Sequence, residues 1–167
     1  EATQIIALLQ EPHKLIASLM YGSGLRVVEA CRLRIKDIDF DRQIITVRSG
    51  KGDKDRTTLL PTSLIEPLRE RRARIQRAWR KQDAFYQCDA SLPYALRRKY
   101  PNAARSLEWQ WLFPSQGLCA DDEGNIVRHH LHVNAVQTLL GHADVRTTQI
   151  YTHVLGNAFA GVQSLLG

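Results

Sequence analysis

Cysteine is scarce in this chain. Its 167 residues include three, Cys31, Cys88 and Cys119, an odd number without Cys-x-x-Cys spacing. That excludes a fully paired disulfide framework and argues for a reducing, cytoplasmic setting. Long apolar runs are also missing: none approaches the ~18 residues of a membrane span, so no membrane partner is expected. No internal repeat is visible, which argues against a solenoid or propeller. No secretory leader is expected from the opening Glu1-Ala2-Thr3-Gln4, which, without Met, reads as an excised piece or a processed chain. Acidic residues are in deficit, 17 against 23 Lys and Arg, for a formal charge of +6. A basic balance favours polyanionic partners. Hydrophobic residues make up 44% and charged residues 24%, enough apolar material for one packed domain.

Along the chain, the spacing predicts mostly helix. Thr3 is expected to cap Gln4–Leu9. Pro12 is expected to open a second helix whose apolar face is Leu15, Ile16, Leu19 and Met20, broken at Gly22-Ser23-Gly24. Helical spacing returns over Arg26–Leu33. Ile44–Val47 and Thr57–Leu60 read as a β-hairpin around a long basic tip, Ser49 to Lys54. Thr62 is expected to cap a helix running to about Lys81, with seven basic residues among the thirteen from Arg69 onward. Residues 83–125 are less regular and hold Trp109 and Trp111. Beyond them, Ala135–Leu140, a helix capped by Asp144, and an amphipathic stretch Val154–Leu166 are predicted.

Three short strings carry possible chemistry. Arg26 follows a glycine break at an expected helix start, where backbone amides and a guanidinium both favour an anionic oxygen. Lys51, in Gly50-Lys51-Gly52-Asp53-Lys54, sits on a hairpin tip that can reach into a groove and donate a proton; the spacing is not that of a Walker loop. Leu139-Leu140-Gly141-His142 is followed nine residues after His142 by Tyr151. A tyrosine can be a covalent nucleophile, and a histidine can bond a phosphoryl oxygen. Taken singly, each is as well explained by a surface salt bridge, a polar turn or a core aromatic.

Their order is more telling. The strings GSGLRVVEACRLRIKDID, GKGDKDRTTLLP and LLGHADVRTTQIYTHV resemble the tyrosine recombinase family, the phage-integrase-like site-specific recombinases. The stretch from Leu92 to Ala104, then Trp109 to Pro114, then Arg128 to His132, is similar to the insertion of integron integrases, here residues 83–132. The resemblance spans nearly the whole chain but only the catalytic half of such an enzyme, without its N-terminal core-binding domain. It implies a mainly α fold with a small antiparallel β-sheet carrying the Lys51 hairpin. It also implies metal-free DNA cleavage with no cofactor. Tyr151 would attack the scissile phosphate to form a 3′-phosphotyrosine, Arg26 would neutralise the phosphate, and Lys51 would protonate the 5′-oxygen. His142 would contact the phosphate and Glu29 would support the site. DNA, as folded single-stranded hairpins or duplex sites, would be the partner in a bacterial cytoplasm, at the nucleoid during action. The Val154–Leu166 stretch would serve self-association.

Integron integrases read extrahelical bases, and the resemblance nominates Trp109, Trp111, Pro114, His129 and His130 as DNA-binding. The histidines, with Cys119 and Asp121, match no zinc template, so no metal is expected. One departure is serious. The family's His-x-x-Arg pair, whose arginine is a second phosphate clamp, occurs nowhere in the chain. His132-Val133 runs directly into Asn134-Ala135, so a segment is expected to be missing near Val133/Asn134, leaving the fold incomplete. The expectation is therefore either a recombinase catalytic domain or a remnant that binds DNA without cutting it.

Overall fold

The computed structural model describes residues 2–48, 55–81 and 88–132. Lys51, His142, Tyr151, the Val133/Asn134 junction and the Val154–Leu166 stretch lie outside the described residues.

Helix α1 is Ala2–Leu8. Thr3 is already helical there, so it is not the cap that its position suggests. Helix α2, His13–Ser23, buries Leu15, Ile16 and Leu19 along one stripe, as the spacing predicts. It continues through Gly22 and Ser23 and ends at Gly24, whose φ of 63° is left-handed and suits a residue without Cβ. Helix α3 is only Val27–Cys31, shorter than Arg26–Leu33, because the backbone at Arg32 leaves the helix and Leu33 to Ile35 are drawn into pairing with a distant segment.

Strands β1 (Ile38–Asp39), β2 (Ile44–Val47) and β3 (Arg56–Leu59) form an antiparallel sheet in that order. The register pairs Ile38 with Ile45, Ile44 with Leu59 and Val47 with Arg56. Alternation on β2 sends Ile45 and Val47 into the core. Helix α4, Thr62–Arg80, follows; its cap position is Pro61, and Thr62 is the first helical residue instead. It buries Leu64, Leu68 and Ile75. These side chains, with those of α2, α3 and the first sheet, join Leu112 and Phe113 in one core.

A second sheet is a correction to the expected single antiparallel one. Strands β4 (Asp89–Ala90), β5 (Cys119–Ala120) and β6 (Ile126–Arg128) are ordered β4-β6-β5. The β4/β6 pair is parallel. A parallel pair needs a long crossover, and the excursion through α5 (Tyr94–Lys99) and the 103–118 segment provides it. Helix still outweighs strand among the described residues.

Candidate nucleic-acid interface

Backbone pairing across the middle of the molecule builds the site. Ile35 N–H donates to the Gln110 carbonyl at 3.1 Å, and Leu112 N–H donates to that of Leu33 at 2.8 Å. On its other side the same segment meets residues 129–131: Ser115 N–H donates to the His129 carbonyl and Leu131 N–H to that of Phe113. Residues 109–115 are thereby laced between the chain that follows α3 and the chain that follows β6. This brings Trp109, Trp111, His129 and His130 to one cavity of about 470 Å³, whose wall also includes Glu29, Lys36 and Arg48. Pro114 is bridge-paired to His130.

Trp111 departs from its expected role. It is 7% exposed, its Nε1 donates to the Arg128 carbonyl at 3.0 Å, and the Arg34 guanidinium lies 3.5 Å from its ring centroid. His130 meets the ring edge-on at 5.3 Å. A ring so enclosed is a wall of the cavity, not a platform for an incoming base. Trp109 is only half-buried, with the Lys36 ammonium 3.0 Å from its ring centroid. Arg34 is the buttress behind both. Its two Nη atoms donate to the Trp109 and Ser91 carbonyls, and burial pulls its guanidinium down to about 10.

Cations outnumber acids in the cavity lining: Arg32, Arg34, Lys36 and Arg48 against Glu29 and Asp37. Burial, reinforced by neighbouring Arg48, pulls Lys36 down to about 8. Burial also lowers His129 and His130, and the nearby cations Arg34 and Arg32 act in the same direction. Both rings are therefore neutral near pH 7 and able to accept as well as donate. Among the described residues, no group of three His, Cys, Asp or Glu side chains could hold a metal ion; His130 packs against His129 and His132 instead.

Beside this cavity stands a second group. Arg26 precedes α3, and its backbone N–H donates to Glu29 Oε2 at 2.8 Å while its Nη1 donates to Oε1 at 3.1 Å. The Arg26 amide, at the cap position, is thus already occupied, and a five-residue helix has little dipole to offer. The Arg26 side chain as a whole stays 39% exposed. Arg56, on β3, donates to Glu29 Oε2 at 2.7 Å. Sequence reasoning missed Arg56, although strand alternation with inward Thr58 was a usable signal.

The hairpin that carries Lys51 is fastened at its base. Arg48 on the outgoing leg donates to buried Asp37 at 2.8 Å, and Thr58 on the returning leg donates to the Ser23 carbonyl at 2.8 Å. On α4 the basic face is less open than its composition suggests. Arg69 and Arg74 pair with Glu66 and Glu70, Arg72 pairs with Glu108, and Arg71 donates to the Leu112 carbonyl and lies over Phe113.

Comparison with known proteins agrees on one family. Residues 1–117 match the profile of the Phage integrase family. An "Integrase/recombinase" of Escherichia coli is 38% identical over 207 residues, covering 99% of this chain and 61% of that protein. The tyrosine recombinase XerA of Pyrococcus furiosus is 34% identical over 148 residues (84% of this chain, 50% of that one), and XerD of Neisseria meningitidis is 34% identical over 164 (89% and 53%). A crystal structure of XerA recombinase aligns over 91% of this chain and 56% of its own, with a TM-score of 0.41 and 23% identity. The chain spans about half to three fifths of the length of these relatives.

Proposed function

The chain belongs to the phage integrase family, and from that premise we propose that it corresponds to the catalytic domain, residues 1–167, of an integron-type tyrosine recombinase. Its reaction would be site-specific DNA recombination. Tyr151 attacks the scissile phosphorus, forming a 3′-phosphotyrosine bond as the bond to the 5′-oxygen breaks. Lys51 gives that oxygen its proton. Negative charge gathers on the non-bridging oxygens, where Arg26 and His142 meet it; preorganised charge of this kind is usually the largest catalytic term. Rejoining reverses the steps on a new 5′-hydroxyl, so neither metal nor nucleotide is required. The observation that carries the reading is Arg26 held in place by Glu29, with the Lys51 hairpin fastened alongside.

Integron type, with hairpin DNA as substrate, is favoured by the aromatic cavity within residues 83–132 and the α3 to β2 wall facing it. Trp109 with His129 and His130 offers stacking surface and hydrogen bonds to a base swung out of its helix. Pro114 is joined to His130 by backbone bridge pairing.

A second reading has its own support. The alignment to the Escherichia coli relative runs over 207 residues, whereas the chain has 167, so at least 40 aligned positions have no counterpart here. The absence of any His-x-x-Arg is in keeping with a gap near Val133/Asn134. Loss of one transition-state donor costs about 100-fold or more in rate. On this reading the chain binds DNA and fails to cut it. A nicked suicide substrate decides: little or no covalent DNA should be trapped on Tyr151. Trapping at the rate of an intact family member, abolished by Tyr151→Phe, would establish a competent enzyme and remove the second reading.

A further inference from the structure

We propose that Arg56 is a second phosphate-binding guanidinium, standing beside Arg26 and aligned with it by the shared carboxylate of Glu29. The inference rests on the reading of Arg26 as a phosphate contact and extends it to a residue on the hairpin's returning strand.

The geometry of one carboxylate carries the argument. Glu29 is 8% exposed at its side chain, and its position is set by the Arg26 backbone N–H. Its two oxygens then serve different guanidiniums: Oε1 takes Arg26 Nη1 at 3.1 Å and Oε2 takes Arg56 Nη2 at 2.7 Å. The two cations are thus separated by one carboxylate and two hydrogen bonds. A phosphodiester presents a similar pair of anionic oxygens, so two forks spaced by a carboxylate on one side are spaced for a phosphate on the other. Each guanidinium has five N–H donors, and Glu29 engages a single Nη of each.

Exposure and charge agree with this. The buried member of the group is the acid; the arginine side chains remain 39% and 38% exposed. Two cations and one anion leave a net +1 facing solvent, which a phosphate would neutralise. A residue needed only to hold Glu29 would do so as well with a single cation. Arg56 is also not a loose surface arginine. It shares a strand face with Thr58, whose hydroxyl is bonded to the Ser23 carbonyl, so β3 is fastened to the end of α2 two residues away.

The test is the salt dependence of DNA binding, because each phosphate neutralised contributes a slope of about −0.9 in log K against log salt. The probe is a double-stranded oligonucleotide of mixed sequence, titrated with the full chain, with Arg26→Gln and with Arg56→Gln. Both variants should flatten the slope by about 0.9, and Arg56→Lys should keep the slope while binding more weakly. If Arg26→Gln flattens it and Arg56→Gln does not, Arg56 only holds Glu29 and the inference is wrong. If neither flattens it, the reading of Arg26 as a phosphate contact falls, and this inference with it. Should Arg56→Gln fail to fold, the unaltered chain answers the same question by NMR. Both guanidinium Nε–Hε signals should move when the oligonucleotide is added; movement of Arg26 alone overturns the proposal.

Discussion

At the scale of single residues, two tryptophans two positions apart have different tasks. Trp111 is enclosed by Arg34, His130 and the Arg128 carbonyl, so Trp111→Ala empties a packed site and should cost about 3–5 kcal/mol, read from the urea midpoint. Trp109 is half-buried on the cavity wall. Trp109→Ala should weaken hairpin-DNA binding while shifting the melting temperature little; losing both in equal measure would make it a packing residue like its neighbour. Lys36, over the Trp109 ring, gives a pH signature. Burial first, then Arg48, lowers it from 10.5 to about 8. Between those values the unfolded chain holds a proton that the folded one has released, so its contribution makes stability rise with pH across that window. Lys36→Met should abolish that rise; an identical pH profile in the variant would mean that Lys36 titrates as an ordinary surface lysine.

At the scale of elements, α4 shows how composition and placement diverge. By composition the thirteen residues from Arg69 onward offer seven that are basic. In the fold, Arg71 is spent on the Leu112 carbonyl and the Phe113 ring, and Arg69, Arg72 and Arg74 face carboxylates. Arg77 and Arg80 are exposed in the last turn. Arg71→Ala should therefore destabilise by about 1–2 kcal/mol, since it strands a carbonyl. Replacing Arg77 and Arg80 by Ala should leave stability within about 0.5 kcal/mol and flatten the salt dependence of DNA binding. If Arg71→Ala is the variant that loses DNA affinity at unchanged stability, this division is wrong. The hairpin makes the opposite point. Its two strands were readable from β-rich runs around a turn, and the register simply realises them. Its ties to Asp37, Glu29 and Ser23 were not, because each joins residues far apart in the chain.

At the scale of the whole molecule, the gap proposed near Val133/Asn134 makes a prediction. Inserting at Val133/Asn134 a helical segment that bears a His-x-x-Arg pair should raise trapping of DNA on Tyr151 by about 100-fold or more. Unchanged trapping in a folded product would mean that the gap is not what limits cleavage. Family membership was legible in the sequence alone, because three local strings carry it in order. So were α2, the β2/β3 hairpin and α4, whose periodicities of 3.6 and 2 reflect one buried face each. The second sheet was not, since strands of two or three residues have no periodicity to read and the β4/β6 partners are joined by a crossover. Nor could the sequence separate Trp109 from Trp111, or give Glu29 its second arginine. Burial and ion pairing belong to whichever segments meet in space, and here residues 26–37, 56–58, 109–115 and 128–131 meet only after the chain has closed on itself.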